Sequence, residues 1–99
     1  MVTARALVCN KKGLHARAAA KLVKTASGFQ ARVQGTRLPR EGEANGEPPP
    51  TAGATSILSL LMLAAEKGVE IELVGEGAQA EEAVAALVAL VARRFDEEE

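Results

Sequence analysis

The sequence is very poor in aromatic residues, since it has no Trp, no Tyr and only two Phe, Phe29 and Phe95. Its charges nearly balance, with 12 Lys and Arg against 13 Asp and Glu. Proteins that bind nucleic acids usually have an excess of positive charge, and many use aromatic rings on which bases stack. Neither feature is present here, so we expect no nucleic-acid partner.

Cysteine and long apolar runs are also scarce. Cys9 is the only cysteine, so the chain cannot form an internal disulfide. The first residues lack the continuous apolar core of a secretory signal, and no apolar run approaches the roughly 20 residues that a membrane-spanning helix needs. These features predict a cytoplasmic protein without a membrane partner.

The apolar residues that are present are mostly small. They make up 47% of the 99-residue chain, and twenty of them are Ala. A core of such side chains buries little area per residue, so we expect a domain of modest stability without a large ligand pocket. We predict no cofactor and no metal site. His15 is the only histidine, which leaves a single position for chemistry that needs imidazole.

Hydrophobic periodicity predicts three strands, three helices and a weak fourth strand. Alternation of apolar and polar residues favours strands, whereas apolar residues at three- and four-residue spacing favour helices. The strands are predicted at residues 3–9, 29–34 and 69–74, and the helices at 15 or 16 to 27, 57–65 and 80–91. Residues 35–55 hold all four prolines and predict a long loop, with at most a short edge strand around residues 51–54.

The order of these elements is strand, helix, strand, weak strand, helix, strand, helix. Because each helix is apolar along one stripe, it needs a sheet face to cover. We therefore predict an α+β fold with an antiparallel sheet and all helices on one side. Residues 1–95 would form a single domain with a Pro/Gly-rich insertion at about 35–55, and residues 96–99 would form a frayed acidic tail.

His15 stands at the predicted N-terminus of the first helix. There the first backbone N–H groups have no acceptor within the helix and the helix dipole is positive, so an anion is favoured. A neutral imidazole at this place could attack phosphorus. The resulting phosphoryl group could accept hydrogen bonds from the N–H groups of Ala16, Arg17 and Ala18, and the Arg17 guanidinium would neutralise further charge. The plainer alternative is that His15 only caps the helix.

The residues around His15 also form a recognisable motif. The run Gly13-Leu14-His15-Ala16-Arg17, followed after Ala18 by Ala-Ala-Lys-Leu-Val, resembles the active-site signature of HPr, the histidine-containing phosphocarrier family of the bacterial phosphoenolpyruvate-dependent phosphotransferase system. The resemblance covers nearly all of the chain outside residues 35–55. Its further segments are Phe29, Ser56-Ile57-Leu58, Leu61-Met62-Leu63-Ala64-Ala65 and Glu81-Glu82-Ala83. It implies an open-faced β-sandwich, with an antiparallel four-stranded sheet under three helices in the order βαββαβα.

The resemblance implies a function as well. Enzyme I, charged by phosphoenolpyruvate, would phosphorylate His15 on Nδ1, and His15 would pass the group to an enzyme IIA-type acceptor for sugar uptake or regulation. Arg17 would steady the phosphoryl group. Such a chain is a carrier with a covalent phosphohistidine intermediate rather than an enzyme with its own turnover. Residues 61–65 also resemble the nitrogen-related branch of the family, so the alternative is a phosphorylation-dependent regulatory binding protein of that branch.

Further residues have predicted roles in regulation and docking. Ser56 matches a serine that HPr kinase/phosphorylase modifies in some family members, and it could instead only cap the second helix. Docking of partners to a monomer is predicted on an apolar patch with a basic rim, where at least one of Leu58 and Leu61 should be exposed. The patch residues are Ile57, Leu58 and Leu61, and the rim residues are Arg17, Lys21 and Lys24.

A small hydrolase with His15 as general base is a third hypothesis. It is poorly supported, because the sequence offers no second imidazole and no obvious nucleophile paired to His15. Covalent labelling of His15 would separate the carrier from the hydrolase.

Overall fold

Four strands and three helices follow one another in the part of the chain that the structure describes. The computed structural model describes residues 1–39, 49–63 and 65–97. The strands are β1 (Val2–Leu7), β2 (Arg32–Arg37), β3 (Thr51–Gly53) and β4 (Glu70–Glu76). The helices are α1 (Ala16–Ser27), α2 (Ile57–Met62) and α3 (Ala80–Ala92), and a short 3-10 turn follows at Arg94–Asp96. The predicted α+β fold and the order βαββαβα are confirmed.

The strands form one antiparallel sheet in the order β1-β4-β2-β3. β4 lies between β1 and β2, so that Leu73 has Ala4 on one side and Gly35 on the other. Burial alternates along β4, where Ile71 and Leu73 are buried and Glu70 is exposed. One face of the sheet is therefore apolar and the other is polar, as a half-buried antiparallel sheet requires.

The helices pack on the apolar face. α3 contacts β1, β4 and α1, while α2 contacts α1 and β3, and the buried side chains join in one core. Small or branched side chains such as Ala18, Ala83 and Leu87 are fully buried in it. Phe95 is the largest of the fully buried side chains. Among the described residues, no helix is both long enough and apolar enough to cross a bilayer.

The ends of three strands differ from the predictions, since β4 runs to Glu76 rather than ending at residue 74. β1 ends at Leu7, two residues earlier than expected, and β2 begins at Arg32 and extends through Arg37 into the predicted loop. The loop boundary is wrong because Gly35 belongs to the strand. A Cβ at Gly35 would stand 3.2 Å from the Ile71 side chain. A glycine is therefore favoured here by close packing and not by a turn.

The remaining differences concern the insertion and the second helix. The short strand expected around residues 51–54 is present as β3. α2 ends at Met62 rather than at residue 65. Ala65 lies outside the helix, and its carbonyl accepts a hydrogen bond of 2.8 Å from the Leu14 amide. Residues 40–48 of the insertion, Ala64 of the predicted helix and residues 98–99 of the predicted tail lie outside the described residues.

The close approach of α3 to β4 at Gly75 sets a limit on side-chain size. A Cβ on Gly75 would stand 2.7 Å from Val84 Cγ2 and 3.3 Å from the Ala80 carbonyl oxygen. We expect Gly75→Ala to lower the free energy of unfolding by roughly 1–3 kcal/mol, because α3 must shift. Denaturant titration measures the change. Gly53→Ala is the control, since a Cβ there meets nothing within 4 Å, and equal losses in both variants would contradict the steric explanation.

Candidate functional site

The loop that leads into α1 is held against the end of the α2 segment. Gly13 has a φ of 67°, in the left-handed region, and a Cβ there would stand 2.6 Å from the Ala65 carbonyl oxygen. The next residue, Leu14, is buried and donates its amide to that same carbonyl. A glycine is therefore required for both conformation and space. The contact fixes the position of His15 relative to the chain after α2.

His15 is the N-cap of α1. Its backbone is extended, with φ −83° and ψ −180°, and its carbonyl accepts from the Ala19 amide at 2.8 Å. Its Nδ1 accepts a hydrogen bond of 3.3 Å from the Arg17 amide. An Nδ1 that accepts carries no proton, so this contact favours the tautomer with the proton on Nε2. The lone pair of Nδ1 thus faces the positive end of the helix.

The structure brings the other predicted phosphate-binding groups to the same helix end. Ala16 and Arg17 are exposed, and Ala18 directs a fully buried methyl group into the core. Their amides belong to the first turn, where backbone N–H groups have no acceptor within the helix. The first turn reads Ala-Arg-Ala-Ala, so Arg17 adds a positive charge to the field of the dipole.

The sequence analysis missed two residues on the other side of the ring, Glu97, which contacts the ring, and Asn10, which holds Glu97. The Glu97 carboxylate accepts from His15 Nε2 through one oxygen. Its second oxygen accepts from Asn10 Nδ2 at 2.9 Å, and Asn10, which is fully buried, also donates to the Gly13 carbonyl at 2.8 Å. The expected frayed tail is therefore wrong for Glu97. Neither periodicity nor a motif marks this contact, because the partners are 82 residues apart in the chain.

The turn after α3 brings Glu97 to His15. Arg94, Phe95 and Asp96 all have φ between 54° and 62°, a conformation that non-glycine residues rarely adopt. Phe95 is fully buried, and its carbonyl accepts from Lys21 Nζ at 2.7 Å. Burial of the ring and this charged hydrogen bond offset the cost of the left-handed backbone.

The surroundings of Glu97 favour its ionised form. Partial burial raises the pKa of the Glu97 carboxyl. The hydrogen bonds from Asn10 and His15, the charge that His15 carries when protonated and the charge of Lys12 outweigh burial and bring the pKa below its usual range. Glu97 is therefore a carboxylate at neutral pH. A full negative charge faces Nε2 of the ring.

The predicted docking patch is exposed on α2. Leu58 and Met62 are 73% and 75% exposed, and Ile57 and Leu61 are also exposed. The expected exposure of Leu58 and Leu61 is confirmed, while Met62 was not predicted as part of the patch.

The basic rim is only partly as predicted. Lys24 is exposed as predicted for the rim. Lys21 is half-buried, and its ammonium group holds the C-terminal turn, a contact that the rim prediction did not include.

Ser56 caps α2. Its Oγ accepts from the Ser59 amide at 3.2 Å and donates to Ser59 Oγ at 3.0 Å. This geometry accounts for a Ser at position 56 and for a Ser at position 59. Modification of Ser56 by HPr kinase/phosphorylase stays a prediction.

The family model for the phosphotransferase-system HPr component phosphorylation site matches residues 2–93. The chain belongs to the HPr family. Phosphocarrier protein HPr of Pseudomonas aeruginosa is 45% identical over 92 residues, which cover 93% of this chain and 92% of that protein. Phosphocarrier protein NPr of Escherichia coli K12 is 43% identical over 91 residues, 92% of this chain and 91% of that protein.

Solved HPr structures have the same fold. The crystal structure of HPr from Thermoanaerobacter tengcongensis superposes with a TM-score of 0.81 at 34% identity, and the alignment covers 100% of both chains. HPr from Bacillus anthracis gives a TM-score of 0.73 at 35% identity, covering 89% of this chain and 93% of that chain. The match to the HPr family model ends at residue 93, so Glu97 lies beyond it.

The capping bond of Ser56 predicts a measurable loss of stability in this HPr-family chain. Ser56→Ala removes the acceptor for the Ser59 amide, and we expect a loss of about 1 kcal/mol in the free energy of unfolding. Thermal or denaturant unfolding checks the value. Thr55→Ala is the matched control, because Thr55 is exposed and precedes the cap. Equal stability of Ser56→Ala and the unsubstituted protein would contradict the capping role.

Proposed function

We propose that the chain accepts a phosphoryl group from enzyme I on His15 Nδ1 and passes it to an enzyme IIA-type acceptor. The observation that carries this proposal is the hydrogen bond from the Arg17 amide to Nδ1. It supports an unprotonated Nδ1 placed at a helix N-terminus, where a transferred phosphoryl group would be stabilised. Membership of the HPr family, whose relatives named above are phosphocarriers, supports the same role.

The same backbone donor serves both states of His15. In the free protein the Arg17 N–H bonds to the lone pair of Nδ1. When that lone pair forms the bond to phosphorus, the N–H group is released and can bond to a phosphoryl oxygen, together with the Ala16 and Ala18 amides. The Arg17 guanidinium is exposed on the same turn and would neutralise negative charge on the group.

The site suits a relay between proteins. The His15 side chain is 27% exposed, so a partner can reach the ring without opening the fold. The bond between phosphorus and nitrogen keeps enough transfer potential to pass the group on. The exposed apolar side chains of α2 offer a docking surface for the donor and then for the acceptor. We propose that the chain performs this role as a monomer in the cytoplasm.

The nitrogen-related branch is the second candidate setting. Phosphocarrier protein NPr of Shewanella violacea is 44% identical, almost the same as the 45% of the HPr of Pseudomonas aeruginosa. In that setting the phosphorylation state of His15 would control binding to a regulatory target. Rates of phosphorylation by the enzyme I of each branch, measured side by side, assign the chain to the branch whose donor is faster.

Phosphorylation of the purified chain tests the proposed function. With phosphoenolpyruvate and a catalytic amount of enzyme I, we expect one acid-labile phosphate per chain, measured by intact mass before and after acid treatment. His15→Ala should remove all labelling, because His15 is the only histidine. Labelling that survives in His15→Ala would contradict the assignment. Steady release of inorganic phosphate in excess of the chain would support the hydrolase instead.

The charge of Arg17 predicts a rate effect. Arg17→Ala should still accept phosphate on His15 but roughly tenfold to a hundredfold more slowly, because one charge-assisted hydrogen bond to the phosphoryl group is lost. Rapid-quench measurement of transfer from phosphorylated enzyme I gives the rate. Arg5→Ala is the control, since Arg5 is an exposed cation on the polar face of the sheet and belongs to neither the His15 site nor the predicted docking rim. A native rate in Arg17→Ala would show that Arg17 does not neutralise the phosphoryl group.

A further inference from the structure

We propose that Glu97 is a positioning residue for His15, which holds the proton on Nε2 and stabilises the positive charge that the ring acquires when Nδ1 is phosphorylated. The inference rests on the proposed function. It adds Glu97 to the His15 site, and Glu97 lies outside residues 2–93, the part of the chain that the family model matches. Its starting point is the contact between the Glu97 carboxylate and His15 Nε2.

Both carboxylate oxygens of Glu97 have a partner. One accepts from His15 Nε2, and the other accepts from Asn10 Nδ2 at 2.9 Å. The Glu97 side chain is only 16% exposed, so this is a sheltered contact rather than a pairing of two solvated side chains. Asn10 is itself fixed, because its amide also donates to the Gly13 carbonyl.

The imidazole ring is thereby held at both nitrogens. The Arg17 amide donates to Nδ1 and Glu97 accepts from Nε2. A ring flip would exchange the two nitrogens and break both bonds. The contacts therefore favour a single orientation and a single tautomer, as a carboxylate does for the histidine of a serine-protease triad.

Packing of Phe95, and not only the negative charge of Glu97, brings Glu97 next to His15. Phe95 is fully buried, and Lys21 Nζ donates to its carbonyl at 2.7 Å. Three consecutive residues adopt a left-handed backbone between α3 and Glu97. Such a costly conformation persists where the surrounding structure holds it, and it is often found at functional sites.

The transfer step balances without movement of a proton. The Nδ1 lone pair forms the bond to phosphorus, the bond between phosphorus and the donor breaks, and its electron pair stays with the donor. The proton remains on Nε2, so the ring becomes cationic and faces the Glu97 carboxylate. The carboxylate favours the phosphorylated ring over the neutral free ring, and transfer to the acceptor reverses these changes.

Glu97→Gln and Asp96→Asn form a matched pair of variants for the test. Each removes one negative charge from neighbouring positions and keeps the side-chain shape. Asp96 pairs with Arg93 at the surface, where both side chains are 54% exposed, so its loss should have little effect. Backbone amide spectra of the two variants check that both are folded.

Two measurements separate the contact from the phosphoryl transfer. In the unphosphorylated protein, the ¹⁵N chemical shift of His15 Nε2 should change in Glu97→Gln and stay native in Asp96→Asn. At equilibrium with enzyme I and fixed concentrations of phosphoenolpyruvate and pyruvate, the ratio of phosphorylated to free chain should fall about tenfold in Glu97→Gln, the size expected for a charge-assisted hydrogen bond. Asp96→Asn should keep the native ratio.

Several outcomes would overturn the proposal. An unchanged Nε2 shift in Glu97→Gln would show that the carboxylate does not hold the ring in solution. A native or increased phosphorylated fraction in Glu97→Gln would show that it does not stabilise the phosphorylated state. If the unsubstituted chain takes no phosphate, the proposed function fails, and the shift comparison still decides whether Glu97 positions the ring.

Discussion

The geometry of the site depends on a close contact between two pieces of backbone. The loop before α1 meets the chain after α2 at Gly13, where a Cβ would stand 2.6 Å from the Ala65 carbonyl oxygen. The Leu14 amide donates to that carbonyl, and the next residue is His15. Any larger residue at position 13 would push the two segments apart. The contact therefore fixes the backbone position of His15 relative to the chain that follows α2.

Phe95 belongs both to the core, which otherwise consists of small and aliphatic side chains, and to the turn that leads to Glu97. Alanines such as Ala18 and Ala83 let the helices and the sheet approach closely, but each buries little area. The single large ring of Phe95 therefore contributes a large share of the burial near the end of α3. That burial holds the turn that leads to Glu97. Burial of Phe95 and the contacts of Glu97 thus make the last described residues part of the fold rather than a free tail.

The sequence predicted the parts that depend on local pattern. Alternation in β4 and the helical spacing of α1 and α3 follow from neighbours in the chain, and the structure confirms these elements. The motif at His15 is also local, and the family model confirms the resemblance that it indicated. The misses concern tertiary packing. Gly35 was predicted as a loop residue because glycine is common in turns. In the structure it lies in β2, where the Ile71 side chain occupies the space that a Cβ would need. Glu97 reads as a solvated acid because its partners, Asn10 and His15, are more than 80 residues away along the chain.

The contacts of His15 allow its imidazole ring to be partly exposed to solvent and yet fixed in orientation. A carrier needs a nucleophile that two partners can reach, and exposed side chains usually sample several rotamers. Here the ring stays partly exposed, yet a backbone amide and the Glu97 carboxylate hold its two nitrogens. Neither group belongs to the apolar patch on α2. Under the proposed function, a partner that docked on the patch would meet a ring whose orientation is already set, so association would not carry the entropic cost of ordering it.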